Sequence, residues 1–213
     1  EGAAWRHHRK LTAPAFTERN NLLVWDETLE QAQAMLSSWS SSGGGKTIDQ
    51  VAGDTMRLSL NVINHAGFGK KTSWQTSSDE TAIHHDLPNG HTMTFTGSLK
   101  YLLKNVLTIM IVPKPILKSI PNARLNKCYT SYSEWGQYMR EMIQTKKTDL
   151  QTSKSDRTTT DLLGQLVKGQ DTDSKGTRLA LTDSEVMGNL FVMMIAGHET
   201  SANSIASSIF RGN

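Results

Sequence analysis

One segment carries most of the information about the fold: Leu190-Phe191-Val192-Met193-Met194-Ile195-Ala196-Gly197-His198-Glu199-Thr200-Ser201-Ala202. It follows Thr182-Asp183-Ser184-Glu185, a capping box in which the Thr182 hydroxyl takes an orphan helix amide and Glu185 reaches back to the cap. No proline interrupts the pattern from there to Ile209, which predicts one helix over 182–209, about 42 Å long at about 1.5 Å per residue. Its first half is apolar nearly all round, which places it at the centre of a domain. The small and polar residues that follow, Ala196, Gly197, Ser201, Ala202 and Ser204, mark where something approaches closely.

Within that helix Ala196-Gly197-His198-Glu199-Thr200 is the sharpest chemical signal. A glycine inside a helix costs roughly 1 kcal/mol against alanine and asks for a reason. The Thr200 hydroxyl can bond the carbonyl of Ala196 one turn back and loosen the ladder beside an acid, Glu199. Taken alone, the segment also reads as a core helix with an incidental glycine and a Ser/Thr face. A zinc-protease reading is rejected, because His198-Glu199 opens the motif His-Glu-x-x-His but Ala202 stands at its last position.

The second signal is Trp5-Arg6-His7-His8-Arg9-Lys10-Leu11-Thr12-Ala13-Pro14-Ala15-Phe16. On a helix Trp5 and Arg9 share a face and present an indole N–H and a guanidinium together, a pair that suits a carboxylate. The alternatives are a solvated basic turn with a packed Trp, or a nucleic-acid patch. The latter lacks further basic or aromatic platforms nearby.

These segments, taken with Asp54-Thr55-Met56-Arg57-Leu58-Ser59-Leu60-Asn61-Val62-Ile63 running into Ala66-Gly67-Phe68-Gly69, with Gly90 to Phe95, with Tyr132 to Ile143 and with Asp161-Leu162-Leu163, resemble the cytochrome P-450 family of haem-thiolate monooxygenases. The pattern is that of filamentous-fungal members, and the order matches from the family's C helix to its I helix. The resemblance implies a mainly α fold, an incomplete P-450 domain over 1–213 without the N-terminal sheet region and the cysteine-ligand loop. It implies haem as cofactor, with Trp5 and Arg9 at a propionate and Ala196 and Gly197 beside the group. Glu199 and Thr200 then relay protons for oxygen activation, and Phe191 and Ile195 line a pocket for a small apolar organic substrate. The implied partners are O2 and an NADPH-dependent reductase. A full-length relative is expected at the cytosolic face of the endoplasmic reticulum membrane.

The remaining sequence is consistent with that reading. Leu22, Trp25, Leu29, Ala32 and Leu36, and then Met56, Leu60 and Ile63, recur at helical spacing. Strand patterns are missing, and Asn89-Gly90 is followed by no second strand. Ser37 to Gly45, Thr72 to Gly90, Gln151 to Thr160 and Gly169 to Thr177 read as polar loops. A formal charge of +3 is too small to imply a nucleic-acid partner. No signal or anchor pattern opens the chain, and the apolar run Val106 to Val112 is far shorter than the roughly 20 residues of a spanning helix. Leu99 to Pro121, with Lys100, Lys104, Lys114 and Lys118, is a basic amphipathic stretch that suits either a membrane surface or packing on the core. His84, His85, Asp86 and His91 lack ligand spacing and are expected in a solvated loop.

The single cysteine, Cys128, excludes an internal disulfide and has none of the Phe-x-x-Gly-x-x-x-Cys-x-Gly surroundings of a haem thiolate. Without that ligand, oxygen activation by the family mechanism is not expected of this exact chain. Two functions are therefore open. One is a segment of a monooxygenase, active within a longer polypeptide. The other is a non-catalytic helical remnant or binding module built on the same scaffold.

Overall fold

The computed structural model describes residues 2–41, 48, 50–74, 87–152, 161–171 and 181–211. Among these residues there are nine α-helices and one 3-10 turn, and no strand. They fall into two compact units, residues 1–76 with 146–213, and residues 77–145.

The first unit holds α1 (Ala3–Thr12), α2 (Glu18–Ser41), α3 (Val51–Phe68), α8 (Leu162–Asp171) and α9 (Asp183–Arg211). Helix α3 is its heart. Val51, Thr55, Leu58, Leu60, Asn61, Val62 and Asn64 are buried along it, and it packs against α2, α8 and α9. Gly69 ends it in the left-handed conformation, φ 69°, where a glycine avoids the Cβ penalty. The capping box of α9 forms in both directions: Glu185 N donates to Thr182 Oγ1 at 3.2 Å, and Thr182 N donates to Glu185 Oε2 at 2.8 Å. The Thr182 N–H and, at 2.9 Å, the Thr182 hydroxyl both donate to Glu185 Oε2 and hold the Glu185 carboxyl below its ordinary range. Asp161 Oδ1 accepts from Gly164 N at the start of α8, and its other oxygen takes Lys146 Nζ at 2.6 Å.

Helical spacing correctly finds α2, but the stripe that reveals it faces outward. Leu22, Trp25, Leu29 and Leu36 are exposed, whereas Val24, Ala32 and Met35 meet the core of Leu58, Val62 and Trp74. The reason is a polar network on the buried side. His65 Nδ1 lies 2.7 Å from the Glu27 carboxylate, Gln31 Nε2 donates to Glu27 Oε1 at 2.8 Å, and Asn61 Nδ2 donates to Gln31 Oε1 at 2.9 Å. Charged and amide groups are tolerated inside when each finds such partners. Three of the expected loops are also shorter than their polarity suggested. Ser37 to Ser41, Gln151 with Thr152, and Gly169 to Asp171 are helical.

The second unit holds α4 (Phe95–Lys104), the short α5 (Val106–Ile111) and α6 (Lys114–Ser119), and most of α7 (Ala123–Thr152). Thr94 caps α4, its hydroxyl accepting from Gly97 N at 3.1 Å. The basic amphipathic stretch packs only part of its apolar residues inward. Leu99, Leu102, Ile109 and Leu117 are buried, while Leu107, Met110, Ile111, Ile116 and Ile120 are exposed beside Lys104, Lys114 and Lys118.

His91 is not a loop histidine in water. Its side chain is fully buried, with Nδ1 2.8 Å from Glu134 and Nε2 3.1 Å from Glu141, and its ring stacks on Tyr138 at 3.7 Å. Thr92 adds a backbone and a hydroxyl bond to Glu134 Oε1 at 3.0 and 2.7 Å. Burial opposes charge on His91, but the bonds to the two carboxylates outweigh it and raise the imidazole above its ordinary range. His84, His85 and Asp86 lie outside the described residues. Cys128 is fully buried in α7, as an ordinary helix cysteine. Among the described residues no group of three side chains is placed to hold a metal, and no helix is long and apolar enough to cross a membrane.

Candidate functional site

The site is built on α9, whose two sides differ. Val186, Leu190, Met194, Ala202 and Ala206 are buried. On the opposite side Val192, Ala196 and Thr200 succeed one another at four-residue spacing, all exposed, with Glu199 and Asn203 beside them. Phe191 and Ile195 are half-buried, one turn apart on the flank of that strip.

Thr200 Oγ1 donates to the carbonyl of Ala196 at 2.6 Å, the back-bond its position allows. Two more follow along the same line, Ser204 Oγ to Thr200 O at 2.8 Å and Ser208 Oγ to Ser204 O at 2.9 Å. These hydroxyls compete with the main-chain ladder over the turns that carry the acid and the alcohol. Glu199 is exposed, so its carboxylate stands in contact with water.

Gly197 and His198 turn the other way. A Cβ on Gly197 would stand 2.9 Å from Ile63 Cδ1, the end of a side chain that α3 lays against this glycine. His198 Nε2 donates to the carbonyl of Met56, also on α3, at 3.2 Å. Burial holds the His198 imidazole below its ordinary range, and the Met56 carbonyl and Glu199 pull less strongly the other way. The structure thus separates Gly197 from Ala196, two residues that the sequence reading set together beside a cofactor. One residue is about 100° of helix rotation, and it carries Gly197 from the exposed strip into the contact with α3.

Helix α1 supplies the second half of the site. Trp5 and Arg9 are exposed on one face, with the guanidinium 5.1 Å from the indole centroid. His8, one residue before Arg9, ties α1 to α9. Its Nδ1 accepts from Asn189 Nδ2 at 2.9 Å, and its Nε2 lies 3.8 Å from Glu185. Leu11 fills the space over Gly169 of α8, with 3.0 Å between Leu11 Cδ2 and the position of a Cβ. Sequence reasoning missed His8 and Asn189, since nothing local marks residues 181 apart as partners.

Residues 1–211 match the Cytochrome P450 family model. The chain belongs to the cytochrome P450 family. It is 37% identical over 206 residues to "Cytochrome P450 monooxygenase 124" of Postia placenta, covering 97% of this chain but 38% of that relative. It is 22% identical to a "Bifunctional cytochrome P450/NADPH--P450 reductase" of Aspergillus oryzae, over 97% of this chain and 17% of the other. The structure matches the crystal structure of the cytochrome P450DA heme domain with a TM-score of 0.61 at 21% identity, over 92% of this chain and 36% of that one. The chain therefore spans well under half the length of the P450s it resembles.

The family implies haem, and the residues present fit it. A guanidinium and an indole N–H on one exposed face suit an anionic propionate, and the guanidinium is the stronger partner because its hydrogen bonds are charge-assisted. Val192, 61% exposed, and Ala196 form an exposed apolar strip, the kind of surface on which a flat apolar ring packs.

Proposed function

We propose that this P450 chain forms the oxygen side of a haem monooxygenase that works within a polypeptide of its relatives' length. Haem, when bound, supplies the redox chemistry by which one oxygen atom of O2 enters a small organic substrate. The chain's own residues bind, orient and move protons. Trp5 and Arg9 hold a propionate, and Ala196 lies against the ring. Glu199 takes protons from bulk water at its carboxylate and passes them to a water hydrogen-bonded to Thr200 Oγ1. That hydroxyl gives its own hydrogen to the Ala196 carbonyl, so its oxygen is free to accept. Phe191 and Ile195 border the substrate. The observation that carries this reading is the 2.6 Å bond from Thr200 to Ala196, on an exposed strip, next to an exposed acid.

Electrons come from an NADPH-dependent reductase, a pairing that the fused Aspergillus relative supports by its name. The exposed Leu107, Met110 and Ile111 beside Lys104 and Lys114 suit contact with an anionic lipid surface, as expected of a protein on the cytosolic face of the endoplasmic reticulum membrane.

The test is a haem titration followed by reduction under carbon monoxide, run on these 213 residues and on the full-length polypeptide. A red-shifted thiolate Soret band is expected from the longer polypeptide and not from the shorter. Arg9→Ala and Trp5→Ala should weaken haem retention in the longer one. A thiolate band from the 213-residue chain would mean that Cys128 ligates iron, and it would overturn the assignment. No haem binding in either form would favour a non-catalytic helical protein.

A further inference from the structure

Ala196, Glu199 and Thr200 reach the exposed strip of α9, while Gly197 and His198 between them face α3. The two middle residues therefore do different work from their neighbours. Apolar packing fixes α9 against α3 on either side of them, through Met194 before and Ile205 after, but such contacts leave roll and height less defined than a hydrogen bond does. Thr200, Ser204 and Ser208 each divert a main-chain carbonyl toward a hydroxyl, which loosens the ladder through these turns. Ala202 and Ala206, the next buried residues, are small and apolar and give contact without direction. A side chain bonded to a main-chain carbonyl of the neighbouring helix is different. That acceptor cannot swing away by changing rotamer, so the bond defines both roll and height.

We infer that His198 is a positioning residue. Its bond to the Met56 carbonyl, on the same helix whose Ile63 lies against Gly197, sets how α9 presents Glu199 and Thr200. The inference rests on the reading that this pair moves protons. Histidine suits the task because a leucine of similar reach would pack without orienting the helix, and a lysine would bring a charge into a half-buried contact. Glutamine is the conservative replacement, since it keeps an N–H at comparable reach.

The test uses three forms of the chain: unaltered, His198→Leu and His198→Gln. In long-range nitrogen–proton spectra of the unaltered chain, His198 should carry its proton on Nε2. Amide exchange over residues 196–204 should run about three- to tenfold faster in His198→Leu, the range that one net hydrogen bond supplies, and His198→Gln should restore it. In the haem-loaded, full-length polypeptide, His198→Leu should lower kcat and the product formed per O2 consumed while leaving KM in place, again with rescue by glutamine. A proton on Nδ1, or equal exchange in all three forms, would refute the anchor. If instead the exchange results hold but Glu199→Gln and Thr200→Ala leave product yield unchanged, the proton-transfer reading fails. The positioning role then loses its object, even though the anchor itself stands.

Discussion

His91 and His198 are both withdrawn from water and both bonded to a second helix or segment, yet their surroundings push them in opposite directions. His91 faces two carboxylates, Glu134 at 2.8 Å and Glu141 at 3.1 Å, and is raised above its ordinary range. His198 faces one main-chain carbonyl at 3.2 Å and is lowered. A carbonyl dipole does not offset the loss of hydration of a cation, whereas two full negative charges do. One imidazole is therefore a charged clasp and the other a directional pin. Partner chemistry, more than depth, decides which.

Removing the clasp should have the larger effect. His91→Ala leaves Glu134 buried without its counter-charge, and breaking a buried pair in that way costs about 3–5 kcal/mol. Trp135 is the one tryptophan between residues 77 and 145, so its fluorescence during urea unfolding reports on the unit concerned. The pin is worth one net hydrogen bond, about 1 kcal/mol. Equal losses from His91→Ala and His198→Leu would erase the distinction.

Gly197→Val tests the interface on which the pin depends. Its Cβ would meet Ile63 Cδ1 at 2.9 Å, and the added methyl groups have no space that the glycine left. A cost of about 1–3 kcal/mol is expected from such overpacking. Trimming the opposing residue with Ile63→Ala should recover part of it in a double-mutant cycle, because the two sites are in contact. Gly197→Ala should be far milder. The atom it meets is the end of a flexible side chain, and alanine returns roughly 1 kcal/mol of helix propensity.

What could be read from the sequence was local. The capping box at Thr182, the run of α9 and the Thr200 back-bond all depend on residues within four positions of one another, and each appears as expected. The same holds for Trp5 and Arg9, one helical turn apart. What escaped was tertiary. The apolar spacing of α2 revealed the helix but not its buried side, because Glu27 and Gln31 look like surface, and partners distant in sequence, His65, Asn61 and the Thr72 carbonyl, make them tolerable inside. The partner of Gly197 lies on another helix. His91 was grouped with its loop neighbours, although Glu134 and Glu141 stand seven apart on one face of α7, a spacing that could have suggested a shared cationic partner.

The two histidines should also separate by the side of the pH profile on which they act, a smaller effect than either substitution. His91 has a folded value above its ordinary 6.5, so its contribution is complete below that value and is lost as pH rises through the raised one. Glu134 and Glu141 are lowered from 4.5, the first because the Thr92 and His91 bonds outweigh its burial, the second chiefly by its bond to His91. Their contribution is complete above 4.5 and is lost as pH falls through their lowered values, so the clasp is fully formed between the two limits. His198 runs the other way. Its lowered value means stability present above 6.5 and lost as pH falls through the folded value, as the desolvated imidazole is forced to charge. Urea midpoints measured from pH 5 to pH 9, above the range in which Glu134 and Glu141 take up protons, should show that His91→Ala flattens the alkaline limb and His198→Leu the acid limb. If both variants flatten the same limb, the two imidazoles titrate alike and the contrast between clasp and pin is wrong.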